Sequence, residues 1–374
     1  MKAVVVVVAV VAFVIACDPP IVDPDASIAT GTTPNDVVLS TCGASPTALV
    51  TASGDARLDV LSLDGGAARA VFLDEGSQPW MVDVASDRRA VVALFGSDEV
   101  ALVAPCDERV LSRAQADVVI DVDPPLVLRE ATDADGDGVQ ELTVARMRPR
   151  TPQAVAVVGD DQVFITFTNI FAFALGDDPM LTGPGVLARF SLEGDVIVFR
   201  DALTLPCENP GGISSDGAVV VVACSGRFIA TNGGHERQSP GGLVVVDAEL
   251  FSIARSIELA DFSPGTPAFL GTDIVVGGLL GGELRRFSAE LELVDSVVLG
   301  GASESIFSVV PVGDDVAAVL FLAGALVLSP FGAATEIEVA GAGPARGLID
   351  AVIVDDDVLG LLTLSAELVT VELP

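Results

Sequence analysis

The sequence predicts an all-β fold on the basis of three observations. After residue 36, apolar residues show no long stretch with the 3.6-residue period of a helix. Short runs of Val, Leu and Ile instead alternate with Gly, Asp and Pro turns, as in GGLVVVDAEL and GTDIVVGGLL. These runs repeat in groups of four, most clearly in residues 264–300 and 303–342. Four strands in about 40 residues is the size of one propeller blade, so the repeat predicts a β-propeller.

The starts of the repeat copies give the number of blades. A small or polar residue followed by proline recurs before an apolar strand, at Gln78-Pro79, Thr151-Pro152, Asn209-Pro210, Thr266-Pro267 and Gly343-Pro344. The copies begin near residues 36, 78, 151, 207, 264, 303 and 344, which gives seven four-stranded blades. The last copy has only three strands, so we expect an N-terminal strand within residues 26–33 to close the ring. A two-sheet sandwich or two smaller β domains are the alternatives.

The N-terminus predicts export and lipid anchoring. Lys2 precedes an uncharged apolar run that is shorter than the roughly 20 residues of a membrane span, and therefore fits a signal peptide over residues 1–16. The run ends in VIAC, which resembles a bacterial lipobox and implies lipidation of Cys17. Residues 17–35 have the Pro-rich, acidic composition of a flexible tether, and the propeller domain follows over residues 36–374. The alternative is an ordinary secretory signal.

The composition narrows the set of partners. The chain has 53 acidic and 19 basic residues and a net charge of −34. Such a surface repels phosphate backbones, which argues against nucleic acid as a partner. Together with the N-terminal motif, this predicts a protein of the cell envelope that is anchored by lipid on the periplasmic or cell-surface side of a bacterial membrane. Its ligand would be a protein or a glycan.

The cysteines support an exported protein. Cys17 aside, an even number remains, which suggests two disulfides. Cys207 and Cys224 flank the turn at Ser215-Asp216-Gly217, so we expect them to face each other across a hairpin. Cys42 and Cys106 then pair by elimination.

One acidic segment has the spacing of a calcium loop. In ATDADGDGVQEL, counted from Asp133 as position one, carboxylates occupy positions one, three and five and a glycine occupies position six. The spacing resembles the D-x-D-x-D-G loops of EF-hand-like, dockerin and integrin-type repeats, although Val144 replaces their twelfth-position acid. The calcium ligands would be Asp133, Asp135, Asp137, the Val139 carbonyl and Glu141. A solvated acidic turn is the alternative, and a bound calcium would be structural.

Three long insertions predict a binding face. Residues 124–150 form a crossover between blades, and residues 170–185 and 226–241 lie between second and third strands. In a propeller these connections emerge on one face, and long loops on a rigid scaffold commonly bind ligands. The candidate binding residues on this face are Asp177, Asp178, His235, Glu236 and Arg237. Trp80, the only tryptophan, is expected in the core or the central channel.

The segment NPGGISSDGAVVVVACSG, residues 209–226, resembles the repeat of YVTN-type surface propellers. The resemblance implies a propeller lipoprotein of the bacterial surface and specifies no activity.

His235 is the only histidine and lies in a polar insertion, so no catalytic residue is assigned. The sequence favours a binding or scaffold module. The alternative is a propeller hydrolase or lyase, lactonase-like or glycan-cleaving, that uses the insertion face.

Overall fold

The computed structural model describes residues 21–22, 26–130, 140–172, 181–231, 234–301, 303–332, 334–339, 347–355 and 358–372. The calcium-type loop at 131–139 and the lipobox therefore lie outside the described residues, as do Asp177 and Asp178. Within the described ranges, no helix is long and apolar enough to cross a membrane.

The described strands form seven four-stranded blades of a propeller, one of which gains a short N-terminal strand as a fifth strand, and three two-stranded hairpins. Two short strands come first: β1 (Ile21–Val22) and β2 (Ala26–Ala29). Blade 1 holds β3 (Pro34–Cys42), β4 (Ser45–Ala52), β5 (Arg57–Ser62) and β6 (Arg69–Phe72). Blade 2 holds β7 (Pro79–Val84), β8 (Ala90–Leu94), β9 (Glu99–Ala104) and β10 (Arg109–Ala114). A hairpin of β11 (Ile120–Glu130) and β12 (Gln140–Met147) follows.

Blade 3 holds β13 (Pro152–Val158), β14 (Gln162–Phe167), β17 (Val186–Glu193) and β18 (Val196–Thr204), with β15 (Ile170–Ala172) and β16 (Leu181–Thr182) inserted. Blade 4 holds β19 (Pro210–Ser215), β20 (Val219–Cys224), β23 (Gly241–Asp247) and β24 (Ser252–Leu259), with β21 (Phe228–Thr231) and β22 (Gly234–Arg237) inserted. Blade 5 holds β25 (Pro264–Leu270), β26 (Asp273–Gly278), β27 (Glu283–Phe287) and β28 (Leu293–Val298). Blade 6 holds β29 (Ile306–Val312), β30 (Asp315–Leu320), β31 (Ala325–Leu328) and β32 (Thr335–Val339). Blade 7 holds β33 (Leu348–Asp355), β34 (Val358–Thr363) and β35 (Glu367–Glu372).

The N-terminal segment closes the ring, which confirms the predicted closure. β2 pairs antiparallel with β35 and supplies the fourth strand of blade 7. The preceding β1 pairs parallel with β32, at the outer edge of blade 6. The seven blades predicted from the repeat are thus present, and the sandwich and two-domain alternatives are excluded.

The burial pattern explains why the second strands read as continuous apolar runs. Every residue of β8 is buried, as are all but the first of β20, because neighbouring blades pack on both faces. The outer strand β28 is almost entirely exposed. The core lies between blades: Phe164 of blade 3 and Val222 of blade 4 belong to one buried cluster.

The strand pairing of blade 5 shows that a different proline from the predicted one opens its innermost strand. The first residue of an innermost strand pairs with the last residue of the second strand, as in Pro210 with Cys224. In blade 5 this position is held by Pro264, which pairs with Gly278, and not by the predicted Pro267, which follows a β-bulge. Blade 7 begins at Leu348, and Gly343-Pro344 lies outside the described residues.

Both predicted disulfides are present, with one geometric difference. Cys42 at the end of β3 bonds to Cys106 in the short 3-10 turn of blade 2, so this bridge joins neighbouring blades. Cys207 bonds to Cys224 but does not lie in the strand opposite it. Pro210 occupies that place, and Cys207 belongs to the crossover before the strand.

The three insertions leave the ring on one side. The β11–β12 hairpin is a crossover between blades 2 and 3, and the other two hairpins connect second to third strands. The innermost strands also begin on this side. We call it the mouth face.

Candidate functional site

A cavity of about 420 Å³ lies at the mouth of the central channel. Each innermost strand contributes its second residue to the cavity wall, so the wall contains one equivalent position from each blade. These seven residues, which we call the mouth ring, are Asn35, Trp80, Gln153, Gly211, Gly265, Phe307 and Ile349. A β-bulge follows the first residue of every innermost strand, and this shared geometry makes the positions equivalent.

A backbone hydrogen bond repeated in all seven blades holds the strand starts in place. The residue before the innermost strand accepts it from the residue after the second strand, as in Ser53 N–H to the Thr33 carbonyl (3.0 Å). Phe321 donates in the same way to Ser305 (3.0 Å), and Leu364 donates to Gly347 (2.9 Å). The cavity is therefore built on paired backbone and not on free loops, which suits a preformed binding site.

One side of the cavity is apolar. Trp80 packs against Phe95 with ring centroids 5.1 Å apart, and Phe307 meets Phe321 edge to face at 5.1 Å. Ile349 extends this surface over blade 7. Phe307 remains 37% exposed, which makes it one of the large apolar side chains that the fold leaves open.

The opposite side is polar and has more room. Gln153 of blade 3 makes no side-chain hydrogen bond to another described residue, so its amide is available to a ligand. Asn209 is committed, since its amide nitrogen donates to the Ser225 hydroxyl (2.7 Å). A side chain at position 265 would be tightly placed, because a Cβ there would lie 3.1 Å from two backbone carbonyl oxygens of blade 6.

Two carboxyl groups lie in the cavity wall where the ring closes. Asp36 of blade 1 accepts a hydrogen bond from Val82 N–H of blade 2 (2.8 Å). Asp350 of blade 7 accepts one from Val37 N–H of blade 1 (3.1 Å), and it also bonds the Ser308 hydroxyl. The pair thus links blade 7, blade 1 and blade 2 in series. Asp83 continues the series by accepting from Val157 N–H of blade 3 (2.7 Å).

Burial favours the protonated form of the two carboxyl groups. It raises the pKa of Asp36 well above its usual value, and the charge of Asp350 and a hydrogen bond to it raise that pKa further. Burial also raises the pKa of Asp350. Because two ionised carboxylates cannot hydrogen-bond to each other, the bond between them requires a proton. Asp36 donates in this bond and Asp350 accepts, since the bond raises the pKa of Asp36 and lowers that of Asp350.

Of the predicted binding residues, Asp177 and Asp178 lie outside the described residues, and Arg237 is not among the described residues that line this cavity. Arg237 donates to the Ser263 hydroxyl (3.0 Å) and the Ala260 carbonyl (2.9 Å), which ties β22 to the crossover into blade 5. His235 and Glu236 lie in β22, paired with Ala230 and Ile229.

Glu141, the last predicted calcium ligand, lies in β12 opposite Arg129, next to the loop of the other ligands. Within the described residues, no group of three or more His, Cys, Asp or Glu side chains could hold a metal ion. The described part of the chain therefore adds no second candidate metal site.

Apart from Trp80, which was expected in the core or the central channel, sequence analysis did not identify the mouth ring, although a signal was available. The residue after the strand-opening proline belongs to the ring in five blades, for example Trp80 after Pro79 and Gln153 after Pro152. Asp36 and Asp350 are 314 positions apart in the sequence, and only closure of the ring brings them together.

Comparison with solved structures supports the fold alone. Virginiamycin B lyase from Staphylococcus aureus aligns with TM-score 0.62 and 11% identity over 93% of this chain and 99% of the lyase. A chain of the mitotic checkpoint complex aligns with TM-score 0.64 and 11% identity over 100% of this chain and 97% of its own. A streptogramin B lyase structure gives 0.60 and 10%, over 93% and 98%.

No known family profile matches the sequence, and no curated protein matches it. A fold shared by a lyase and a checkpoint-complex chain does not specify an activity, so function has to be argued from the site.

Proposed function

We propose that the chain is an exported, lipid-anchored propeller that binds a small molecule at the mouth of its central channel. The observation that carries this proposal is the cavity of about 420 Å³, with an apolar wall facing polar groups. Small-molecule sites are typically concavities of roughly 300–1,000 Å³ with apolar walls and a few placed polar groups. A ring of blades holds these groups rigidly and leaves little ordering cost for binding.

The location at the cell envelope rests on the N-terminal sequence. The apolar run before Cys17 and the VIAC motif support lipidation, and two or three acyl chains anchor a protein firmly. The wild-type protein should enter the detergent phase on phase separation, and Cys17→Ala should remain in the aqueous phase. Detergent partitioning that survives the substitution contradicts the anchor.

Trp80 provides a direct test of binding. It is the only tryptophan of the chain, tyrosine is absent, and Trp80 lines the cavity, so its emission reports occupancy of the mouth. We expect a ligand that changes Trp80 emission to bind about tenfold more weakly to Phe307→Ala, from the loss of aromatic contact. The matched control is Phe72→Ala, since Phe72 is 72% exposed on the outer strand of blade 1. Equal effects of the two substitutions would show that the ligand binds elsewhere.

A lyase or hydrolase is the second candidate, favoured by the carboxyl pair in the cavity wall. The raised pKa of Asp36, which burial causes and the charge of Asp350 increases, suits this carboxyl group to act as an acid at the mouth. One compared structure is a catalytically inactive virginiamycin B lyase with quinupristin, which suggests two test compounds. Incubation with virginiamycin B or quinupristin, followed by mass spectrometry, separates the candidates: conversion that is lost in Asp36→Asn supports the enzyme, and Trp80 quenching without conversion supports the binding module.

A structural calcium ion at Asp133, Asp135, Asp137, Val139 and Glu141 completes the proposal. The pairing of β11 with β12, the strands on either side of this loop, supports the proposal because it brings the two ends of the loop together. A calcium ion would stiffen the tip of that hairpin.

A further inference from the structure

We propose that the ligand of the mouth cavity is an organic cation, with an ammonium group on an aromatic or aliphatic body. This inference rests on the proposed binding function and adds the chemical class of the ligand. Three features of the described residues carry it: the charges that line the cavity, the geometry of the carboxyl pair and the position of the aromatic rings.

The residues that line the cavity carry acidic groups and no compensating base. Asp36 and Asp350 are the only charged side chains among them, and neither lysine, arginine nor histidine is present in the wall that the structure describes. An anionic ligand would meet an uncompensated negative charge in a partly desolvated site, which is costly. The net charge of −34 adds a long-range field that attracts cations to the cavity and repels anions.

The carboxyl pair faces the cavity through Asp350. Asp36 is buried, whereas Asp350 is half-buried and reaches the cavity space. Asp350 accepts hydrogen bonds from Val37 N–H (3.1 Å) and Ala351 N–H (2.9 Å) and also bonds the Ser308 hydroxyl. These bonds hold the carboxyl group in place, and its negative charge would attract an ammonium group in the cavity.

The aromatic residues provide a second attraction for the same charge. Trp80 follows Asp36 by one blade around the ring, and Phe307 precedes Asp350 by one blade, so an aromatic residue flanks the carboxyl pair on each side. A cation near the face of such a ring is stabilised by about 0.5–2 kcal/mol, most strongly by tryptophan. The apolar body of the ligand would lie against Phe307 and Ile349.

A matched series of probes tests the charge requirement. The compounds 2-phenylethylamine, 2-phenylethanol and 3-phenylpropionate share the phenylethyl group and differ in carrying a positive, zero or negative charge. We expect Trp80 emission to report binding of the amine at least tenfold tighter than that of the alcohol, and of the carboxylate weakest. Equal affinity of amine and alcohol overturns the cation proposal and leaves the binding function standing. No response to any of the three overturns the cation proposal, and the binding function then stands or falls on the separate Phe307→Ala test.

Substitution of the pair identifies the group responsible. Asp350→Asn should weaken the amine about tenfold and change the affinity for the alcohol less than twofold. The double variant Asp36→Asn/Asp350→Asn is the second variant, because Asp36→Asn alone mimics the protonated group and keeps the charge of Asp350. Asp83→Asn is the matched control, because Asp83 links blades by the same type of bond but does not line the mouth cavity. An undiminished preference for the amine in both pair variants, or its loss in Asp83→Asn, contradicts the assignment.

Discussion

Burial at Asp36 disfavours the charged form of its carboxyl group. Asp36 as a whole residue is 7% exposed, and the pKa of its carboxyl group is raised by burial, by Asp350 and, to a smaller extent, by the charge of Asp83. A carboxyl group with a raised pKa in the folded state binds its proton more tightly there than in the unfolded chain. Its contribution to stability is therefore complete below the ordinary value of 3.8 and is lost as the pH rises through the folded-state pKa.

This residue gives a prediction about pH. Asp36→Asn keeps an oxygen for Val82 N–H and supplies an N–H for Asp350, so it mimics the protonated group without a charge. We expect the variant to be more stable than wild type by on the order of 1 kcal/mol at about pH 8, because a tenfold difference in proton affinity corresponds to about 1.4 kcal/mol. Near about pH 4 the difference should vanish, since the wild-type group is then protonated.

Denaturant unfolding at several pH values measures the effect. Asp216→Asn is the control, because Asp216 lies in the exposed turn of blade 4. A variant that is less stable than wild type at every pH would mean that the negative charge itself holds the blades together.

At the scale of elements, closure of the ring depends on strand β2, which supplies the fourth strand of blade 7. Ile28 packs with Leu362 and Leu368 of blade 7 and Val37 of blade 1, so one side chain joins the last blade to the first. Ile28→Ala should cost about 1–2 kcal/mol, less than the 2–5 kcal/mol of a fully buried isoleucine, because Ile28 is half-buried. Ser27→Ala is the matched control, since Ser27 lies on the other face of the strand and is exposed. Thermal unfolding should separate the two variants, and equal effects would mean that the strand closes the ring through its backbone alone.

Periodic elements could be predicted from the sequence, whereas the site could not. The Val-rich second strands of the blades can be recognised in the sequence because packing on both faces leaves no polar position, as in AVVAL of β8. The start of blade 5 near residue 264 was predicted, but its repeat proline was assigned to Pro267 in place of Pro264, because a bulge separates the two prolines and both precede an apolar run. The Asp36–Asp350 pair had no local signal, since carboxylates are abundant and only tertiary closure selects these two.

At the scale of the molecule, the two disulfides constrain the chain to different extents. Cys42–Cys106 closes a segment with a separation of 64 residues and joins two blades, whereas Cys207–Cys224 closes only 17. From loop length alone, removal should cost about 4 kcal/mol for the first bridge and about 3 kcal/mol for the second. The double variants Cys42→Ala/Cys106→Ala and Cys207→Ala/Cys224→Ala, compared by denaturant midpoint, test this order. A larger loss from the shorter bridge would show that native packing around Cys224 outweighs loop entropy.

The charge of the whole molecule predicts two separable responses to salt. With 53 acidic and 19 basic residues, the folded chain repels itself, so NaCl raised from about 10 mM to about 150 mM should increase the unfolding temperature by screening. Calcium at equal ionic strength should add a further increase at about 10⁻⁴–10⁻³ M, the range of weak extracellular sites, through the loop of Asp133, Asp135 and Asp137. Asp135→Ala should abolish the calcium-specific increase and keep the response to NaCl, with the turn variant Asp216→Ala as control. A calcium response that persists in Asp135→Ala, or that magnesium reproduces fully, would assign the effect to the diffuse surface charge and leave the loop as an acidic turn.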